Sequence, residues 1–513
     1  MRNLDTPVKQ IRRKIFTEIA KIGFESTDES MIHDIESIPY NIVEERAKYR
    51  ESIYRERAVA SERVRLAMGL SLRPENRSVH LTDGVKASNI DEKYYEPPLM
   101  QVIPSACSAC ESNKYEVSNM CRGCVAHPCL LTCPKGAISM VNGKSFIDQD
   151  KCIHCGRCKA VCPYDAIAHK ERPCERACGV KAIESDEQGR ASINQDKCVS
   201  CGMCLVNCPF GAIADKGQIY QLIQGFNRGD RIYALVAPAF INQFPQLAAA
   251  GKLKAALRAV GFCDVVEVAI GADLCTVEEA KDFLEEVPEK LDFMATSCCP
   301  AWSMMAKTAF PALAKNISMT MTPMVFTARM MKQADPEARM CFIGPCAAKK
   351  LEASRRTVRS DVDFVLTFEE LAGIIEARDI DVDSLEVDPT ENDLAYASAA
   401  GRGFAQSGGV AKAVADKIKE WHPDREVKIA SAQGLADCKK LLLLAKAGKY
   451  NGYLLEGMGC PGGCIGGAGT IADPVRTAAV LNKYVKDAPF TDPEDSAFMT
   501  SIHMLKDDPN FEL

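Results

Sequence analysis

Two stretches of the chain carry four cysteines each at one spacing, C-x2-C-x2-C-x3-C-P: CIHCGRCKAVCP at 152–163 and CVSCGMCLVNCP at 198–209. Nothing else in the sequence restricts folding as tightly, because three thiols on one short loop must share an occupant. They sit in a chain of 513 residues with 25 cysteines, sixteen of them between 107 and 208. A disulfide scaffold is a small exported domain, whereas this chain is long. Its opening, MRNLDTPVKQIRRKIF, has no apolar segment of the kind that directs export. Metal binding therefore accounts for the thiols better than disulfides do.

The spacing is that of bacterial ferredoxins. Three thiolates on such a loop bind three irons of a cubane, and the fourth cysteine crosses to the other cluster. The expected sets are Cys152, Cys155 and Cys158 with Cys208, and Cys198, Cys201 and Cys204 with Cys162. A looser run, CRGCVAHPCLLTCPKGAI at 121–138, resembles the ferredoxin-like subunits of molybdenum oxidoreductases. PCERACGVKAI at 173–183 is similar to their closing segment, and CSAC at 107–110 could supply the missing pair. By that analogy Cys121, Cys124 and Cys129 go with Cys178, and Cys107, Cys110 and Cys174 go with Cys133. This gives two to four accessory [4Fe–4S] clusters, with four using every thiol. A zinc site built from CSAC and CRGC is the alternative.

Around this segment the composition changes. Residues 1–95 hold no cysteine, and EERAKYRESIYRERAVASERVRLAMGL at 44–70 reads as solvent-exposed helix, a cap or docking arm. From about 230, short apolar strands alternate with amphipathic helices, the pattern of largely parallel α/β sheets. Chemistry in such sheets sits in loops at strand C-termini. TSCCPAW at 296–302, FIGPCAAKKLE at 342–352 and LEGMGCPGGCIGGAGT at 455–470 all follow a strand-like run. A net charge of −6 favours neither nucleic acid nor an anionic membrane, and no apolar run is long enough to span one. The expected location is cytoplasmic.

In order, those three loops resemble the signature motifs of the [FeFe]-hydrogenase active-site domain. IGPCAAKK with TPM and EGMGCPGGC is most similar to the group B branch. The resemblance implies Cys299, Cys346, Cys460 and Cys464 as ligands of a [4Fe–4S] cubane. Cys464 would also bridge to a [2Fe] subcluster carrying CO, cyanide and a dithiolate, the whole being the H-cluster. Cys298 stays free as the proton-relay thiol, which explains the Cys298–Cys299 doublet, since an iron-bound thiolate cannot shuttle protons. Lys349 would donate to a cyanide, with Glu352 beside it. Ala237, Pro238, Met458 and Gly463 would line the cofactor. Gly462, Gly466, Gly467 and Gly469 would bring backbone N–H groups close to it. The family's proton route maps onto Glu279, Asp282 and Ser318, with Glu279 and Asp282 on one helical face. Asp282 stands where a glutamate is usual, and its shorter arm calls for one more bridging group, a water. Ala239, Gly344 and Met324 replace a serine, a methionine and a glutamine. Cys263, Cys275, Cys341 and Cys438 read as core thiols.

The fold class implied is multidomain α/β with α+β. A helical region at 1–95 precedes ferredoxin-like cluster domains at 96–215 and a two-lobed H-cluster domain at 216–513. The function implied is reversible 2H⁺ + 2e⁻ = H₂, a ferredoxin-type hydrogenase exchanging electrons with ferredoxin or flavodoxin and depending on maturation proteins. An H₂ sensor or a multi-cluster electron carrier without catalysis is the alternative. No signalling domain is visible after residue 480, and retention of the doublet argues against a degenerate site.

Overall fold

The strands Ile232–Val236 and Arg339–Gly344 are apolar almost throughout, as strands covered on both faces must be. In the computed structural model, which describes residues 5–26, 30–90, 97–247, 251–381, 384–387, 396–496 and 499, they are the two central strands of a four-stranded sheet. Its spatial order is Asp264–Glu267, Ile232–Val236, Arg339–Gly344, Phe364–Thr367, every pair parallel. A second parallel sheet runs Met294–Ala295, Tyr453–Met458, Lys428–Gln433. These are the two lobes. Each contributes two loops to one place: Ala237–Pro238 and the Cys346 loop from the first sheet, the Cys298–Cys299 and Cys460–Cys464 loops from the second. Helix Ala269–Glu286, buried along most of its length, carries Glu279 and Asp282. It lies against helix Pro323–Ala334 so closely that a Cβ on Gly271 would stand 2.3 Å from the Pro323 carbonyl oxygen.

The cysteine-rich segment forms two units, one inside the other. In the outer unit Met100–Val102 pairs antiparallel with Ile213–Asp215, and Ile183–Ser185 forms a hairpin with Ala191–Ile193. The inner unit, inserted between Cys110 and Cys174, repeats the plan: Lys114–Val117 pairs with Ile167–Lys170, and Ile138–Val141 with Lys144–Ile147. The repeat is visible in CPKGAI, CPYDAI, CGVKAI and CPFGAI. In each, the residue before the alanine has a positive φ: Gly136, Asp165, Lys181 and Gly211.

The 44–70 segment departs from the exposed reading. Helix Ile53–Ala67 buries Glu56, Val59, Ala60 and every residue from Glu62 to Ala67. Three of its four buried charges are met by partners close by. Glu56 accepts N–H groups from Lys48, Tyr49 and Arg50, Glu62 pairs with Arg73, and Arg65 donates to the carbonyls of Ser71, Leu81 and Asp83. Val59 and Leu66 belong to the same apolar cluster as Cys174, Cys204 and Cys208. Helix Pro7–Glu25 packs on helix Phe368–Ala377, with Arg12 paired to Glu369. Among the described residues no helix is long and apolar enough to cross a membrane.

Candidate metal centres and proton route

Cys133, Cys152, Cys155 and Cys158 line one small cavity beneath Tyr115, Ile138 and Ile147. Cys107, Cys110, Cys174 and Cys208 line a second. Cys198, Cys201 and Cys204 lie within electrostatic reach of Cys178. Ser145 joins Cys121, through its N–H at 3.4 Å, to Cys129, through its hydroxyl at 3.3 Å. Cys124 and Cys162 are left for that set, and Cys162 shares an apolar cluster with Cys129. Three sets of four are brought together by these contacts and the fourth follows by elimination, with crossing partners that differ from the expected ones. Cys133, not Cys208, joins the 152–158 run; Cys178, not Cys162, joins the 198–204 run; Cys162 joins 121–129 and Cys208 joins 107, 110 and 174. The reason lies in the nesting, since each fourth cysteine can cross only within its own unit. The zinc alternative would have to draw on two units, since CSAC lies in the outer one and CRGC in the inner.

The donor sets suit iron–sulfur clusters. Each unit's crossing cysteines accept a backbone N–H four residues on: Ala137 to Cys133 at 3.3 Å, Ala166 to Cys162 at 3.4 Å, Ala182 to Cys178 at 3.1 Å and Ala212 to Cys208 at 3.3 Å. Such bonds favour thiolate and tune a cluster's potential. Burial pushes the Cys174 and Cys201 thiols up to about 12, so a bound metal is what makes thiolates of them.

In the two α/β lobes Cys299 precedes helix Pro300–Ala309 and Cys346 precedes helix Ala347–Ala353. Burial first, and then Cys299, raises the Cys346 thiol; burial first, and then Cys299 and Cys346, raises that of Cys464. Cys460, itself buried, packs with Met203 and Ala468 beside Cys201. The Gly459 N–H donates to Cys299 Sγ at 3.3 Å. Gly462 and Gly463, both at positive φ, turn the chain back between Cys460 and Cys464. The remaining glycines of this loop do not all serve the expected purpose: Gly467 and Gly469 make room for Pro345 and Thr367. Cys201 lies within electrostatic reach of Cys346, so the Cys198–Cys204 set adjoins the motif-loop thiols.

Lys349 is buried with Glu352 Oε2 at 2.7 Å, and it donates to Thr322 Oγ1 at 3.0 Å, which donates to Glu352 Oε1 at 2.9 Å. Burial works against the lysine's charge, and Glu352, Cys346 and Cys298 more than offset it, holding its pKa above the usual value. Ala237 lies beside Gly344, where an added Cβ would meet the Phe342 ring at 2.5 Å. Ala239, Met324 and Met458 are buried, and Met458 packs with Cys298, Cys275 and Phe326.

Cys298 is 8% exposed; burial and then Glu279 push its thiol well up. Glu279 is fully buried, with Oε1 accepting the Ser297 N–H at 3.1 Å and Oε2 lacking a hydrogen-bond partner. Burial raises it to about 7, opposed by Ser297 and Ser318. Asp282 accepts from Thr320 Oγ1 at 3.0 Å, and the Thr320 N–H donates to Ser318 Oγ at 3.1 Å. Thr320 thus touches Asp282 through its hydroxyl and Ser318 through its peptide N–H. Thr320 and Thr322 were not singled out from sequence. The signal was there in NISMTMTPM, where Ser318, Thr320 and Thr322 alternate: the first two face the acids and the third the lysine.

Residues 230–468 match the model of the iron only hydrogenase large subunit, C-terminal domain. Residues 146–168 match a 4Fe-4S binding domain and 168–219 the LdpA Fe-S cluster-binding domain. The periplasmic [Fe] hydrogenase large subunit of Nitratidesulfovibrio vulgaris is 30% identical over 260 residues, covering 43% of this chain and 62% of that one. The NADP-reducing hydrogenase subunit HndD of Solidesulfovibrio fructosivorans is 28% identical over 371 residues, 62% of this chain and 55% of that. Nuclear prelamin A recognition factor of Homo sapiens is 26% identical over 298 residues, 48% and 65%. The chain thus spans only about half to two thirds of these curated relatives. An [FeFe]-hydrogenase from Chlamydomonas reinhardtii aligns with a TM-score of 0.43 and 23% identity over 55% of this chain and 90% of that one. With its four motif loops meeting at one site and iron–sulfur segments upstream, the chain is similar over residues 230–468 to the C-terminal domain of iron only hydrogenases.

Proposed function

We propose that this protein catalyses 2H⁺ + 2e⁻ = H₂, with Cys299, Cys346, Cys460 and Cys464 holding an H-cluster and the sixteen upstream cysteines holding four [4Fe–4S] clusters. The observation that carries the reading is the placement of a free, buried thiol, Cys298, between those ligands and a carboxyl, Glu279, whose second oxygen has no partner. When bound, the diiron unit supplies the hydrogen chemistry. The chain's own residues do the rest. Cys298 holds a proton beside the site, Glu279 exchanges it, and Ser318 and Asp282 carry it outward with water between them, while Thr320 orients both. Lys349, fixed by Glu352 and Thr322, presents a cation to anionic ligands. Electrons pass through the Cys198–Cys204 set, which adjoins Cys346 and, through Cys204, reaches Cys174. Ferredoxin or flavodoxin is the electron partner, in the cytoplasm, and maturation proteins install the diiron unit. The division at 95 and 215 separates the helical, cluster-bearing and catalytic parts.

The competing reading is a carrier without hydrogen chemistry, and it draws on the likeness to nuclear prelamin A recognition factor and to cytosolic iron–sulfur assembly component 3 of Bos taurus, 26% identical over 274 residues. An anaerobic infrared spectrum of the matured protein separates the two. Bands of metal-bound CO and cyanide that shift under H₂, with turnover lost in Cys298→Ala, are the expected result. A full iron content without such bands would overturn the hydrogenase reading.

A further inference from the structure

Four peptide groups donate an N–H to a crossing cysteine, and one of them differs from the rest. Gly211 and Ala212 share a peptide whose N–H donates to Cys208 Sγ and whose carbonyl oxygen accepts from Arg63 Nη2. The adjacent carbonyl, of Phe210, accepts from Arg50 Nη2 at 3.0 Å. Among the described residues, no side chain donates to the carbonyls of Gly136, Asp165 or Lys181, the counterparts in the other three repeats. A guanidinium on the carbonyl polarises the whole peptide and strengthens its N–H as a donor.

Arg63 is 6% exposed and makes no ion pair among the described residues; the nearby Glu369 is engaged by Arg12. A buried cation without a counter-ion is costly. Cys208 lies within electrostatic reach of both Arg63 and Arg50. A cubane held by four thiolates carries net negative charge, and one more on reduction, so it is the counter-ion Arg63 lacks; Arg50, which also has Glu51 and Glu56 near it, adds to the same field. The fit is close: a Cβ on Gly211 would meet Val8 of the first helix at 2.7 Å, so the turn seats directly against the N-terminal helices.

We propose that Arg63 and Arg50 set the potential of the cluster held by Cys107, Cys110, Cys174 and Cys208, raising it above that of the neighbouring Cys198–Cys204 cluster. The N-terminal helices are then part of the electron path, supplying the charge that parks an electron one cluster away from the catalytic thiols. Both arginines are positioning residues. They act through the Phe210–Ala212 backbone and through space, while one electron enters and no bond forms or breaks. The inference rests on the assignment of these four cysteines to a [4Fe–4S] cluster.

The test is a redox titration of the full-length, anaerobically loaded protein with dithionite, followed by electron paramagnetic resonance. The signal lost in Cys174→Ser identifies the cluster. In Arg63→Gln its midpoint moves negative, so that at a fixed potential the ratio of reduced to oxidised cluster falls about tenfold, about 59 mV for one electron. Arg50→Gln moves it the same way by less, and Arg63→Lys restores most of the value. Signals from the other clusters keep their midpoints. An unchanged midpoint in both glutamine variants, with iron content intact, overturns the proposal. Should Arg63→Gln fail to accumulate, the half-buried Arg50 decides it alone. Absence of any Cys174-dependent signal in the unaltered protein overturns the inference through its cluster assignment, and leaves the infrared test of the catalytic site standing.

Discussion

Glu279 has one oxygen fixed by the Ser297 N–H and the other buried without a hydrogen-bond partner among the described residues, an arrangement that suits the proton exchange proposed for it. Its removal as Glu279→Gln is expected to lower H₂ turnover by about 10²-fold or more with iron content unchanged, checked by rate per loaded enzyme. Burial also ties this residue to stability. Its pKa is about 7 in the folded protein against 4.5 when exposed, so the folded state favours the neutral acid. That contribution is complete below about pH 4.5 and is lost as pH rises through about 7. The urea midpoint of Glu279→Gln should therefore fall less than that of the unaltered protein between about pH 5 and about pH 8. The nearness of Cys298, Cys346, Lys349 and Glu279 to one another was legible because their motifs are local. Thr320 and Thr322 were not, because a hydroxyl in a short polar run declares no partner until the fold supplies one.

Helix Ile53–Ala67 shows what periodicity misses. Its charges suggested a solvated face, yet burial there depends on acceptors from elsewhere in the chain, which no local pattern reveals. The KK pair of the second loop divides in the same way. Lys349 faces Cys346 and Cys298, while Lys350 points the other way and donates to Asp215 Oδ2 at 2.8 Å, Glu370 Oε1 at 2.8 Å and the Lys216 carbonyl at 2.9 Å. This one ammonium joins the last strand of the outer cluster unit to helix Phe368–Ala377. Lys350→Met would leave two buried carboxylates unpaired, and a loss of about 3–5 kcal/mol is expected in anaerobic denaturation. At strand Tyr453–Met458, a Cβ on Gly457 would stand 2.1 Å from the fully buried Trp302 ring. Gly457→Ala should cost about 1–3 kcal/mol by overpacking, read in the same assay.

Across the whole molecule the two parallel sheets and the loops at their C-terminal ends were readable from alternation, since apolar strands and amphipathic helices report themselves. The partition of cysteines among clusters was not, because spacing fixes which three thiols share a loop but not which unit the fourth belongs to. Paired substitutions test the partition found here. Cys174→Ser with Cys208→Ser strikes one cluster, so the double variant should lose no more iron than one cluster holds. Cys152→Ser with Cys208→Ser strikes two and should lose twice as much, measured as iron per protein. The nesting of one unit inside the other also sets a timetable. The inner unit has all its cysteines by residue 162, whereas Cys107 and Cys110 must wait for Cys174 and Cys208. As the chain leaves the ribosome, the later-made half of the host closes around an insert that can already be folded. The loop that ties Cys110 to Cys174 is then a finished object rather than a floppy tether, which makes the inner unit the assembly jig for the outer one.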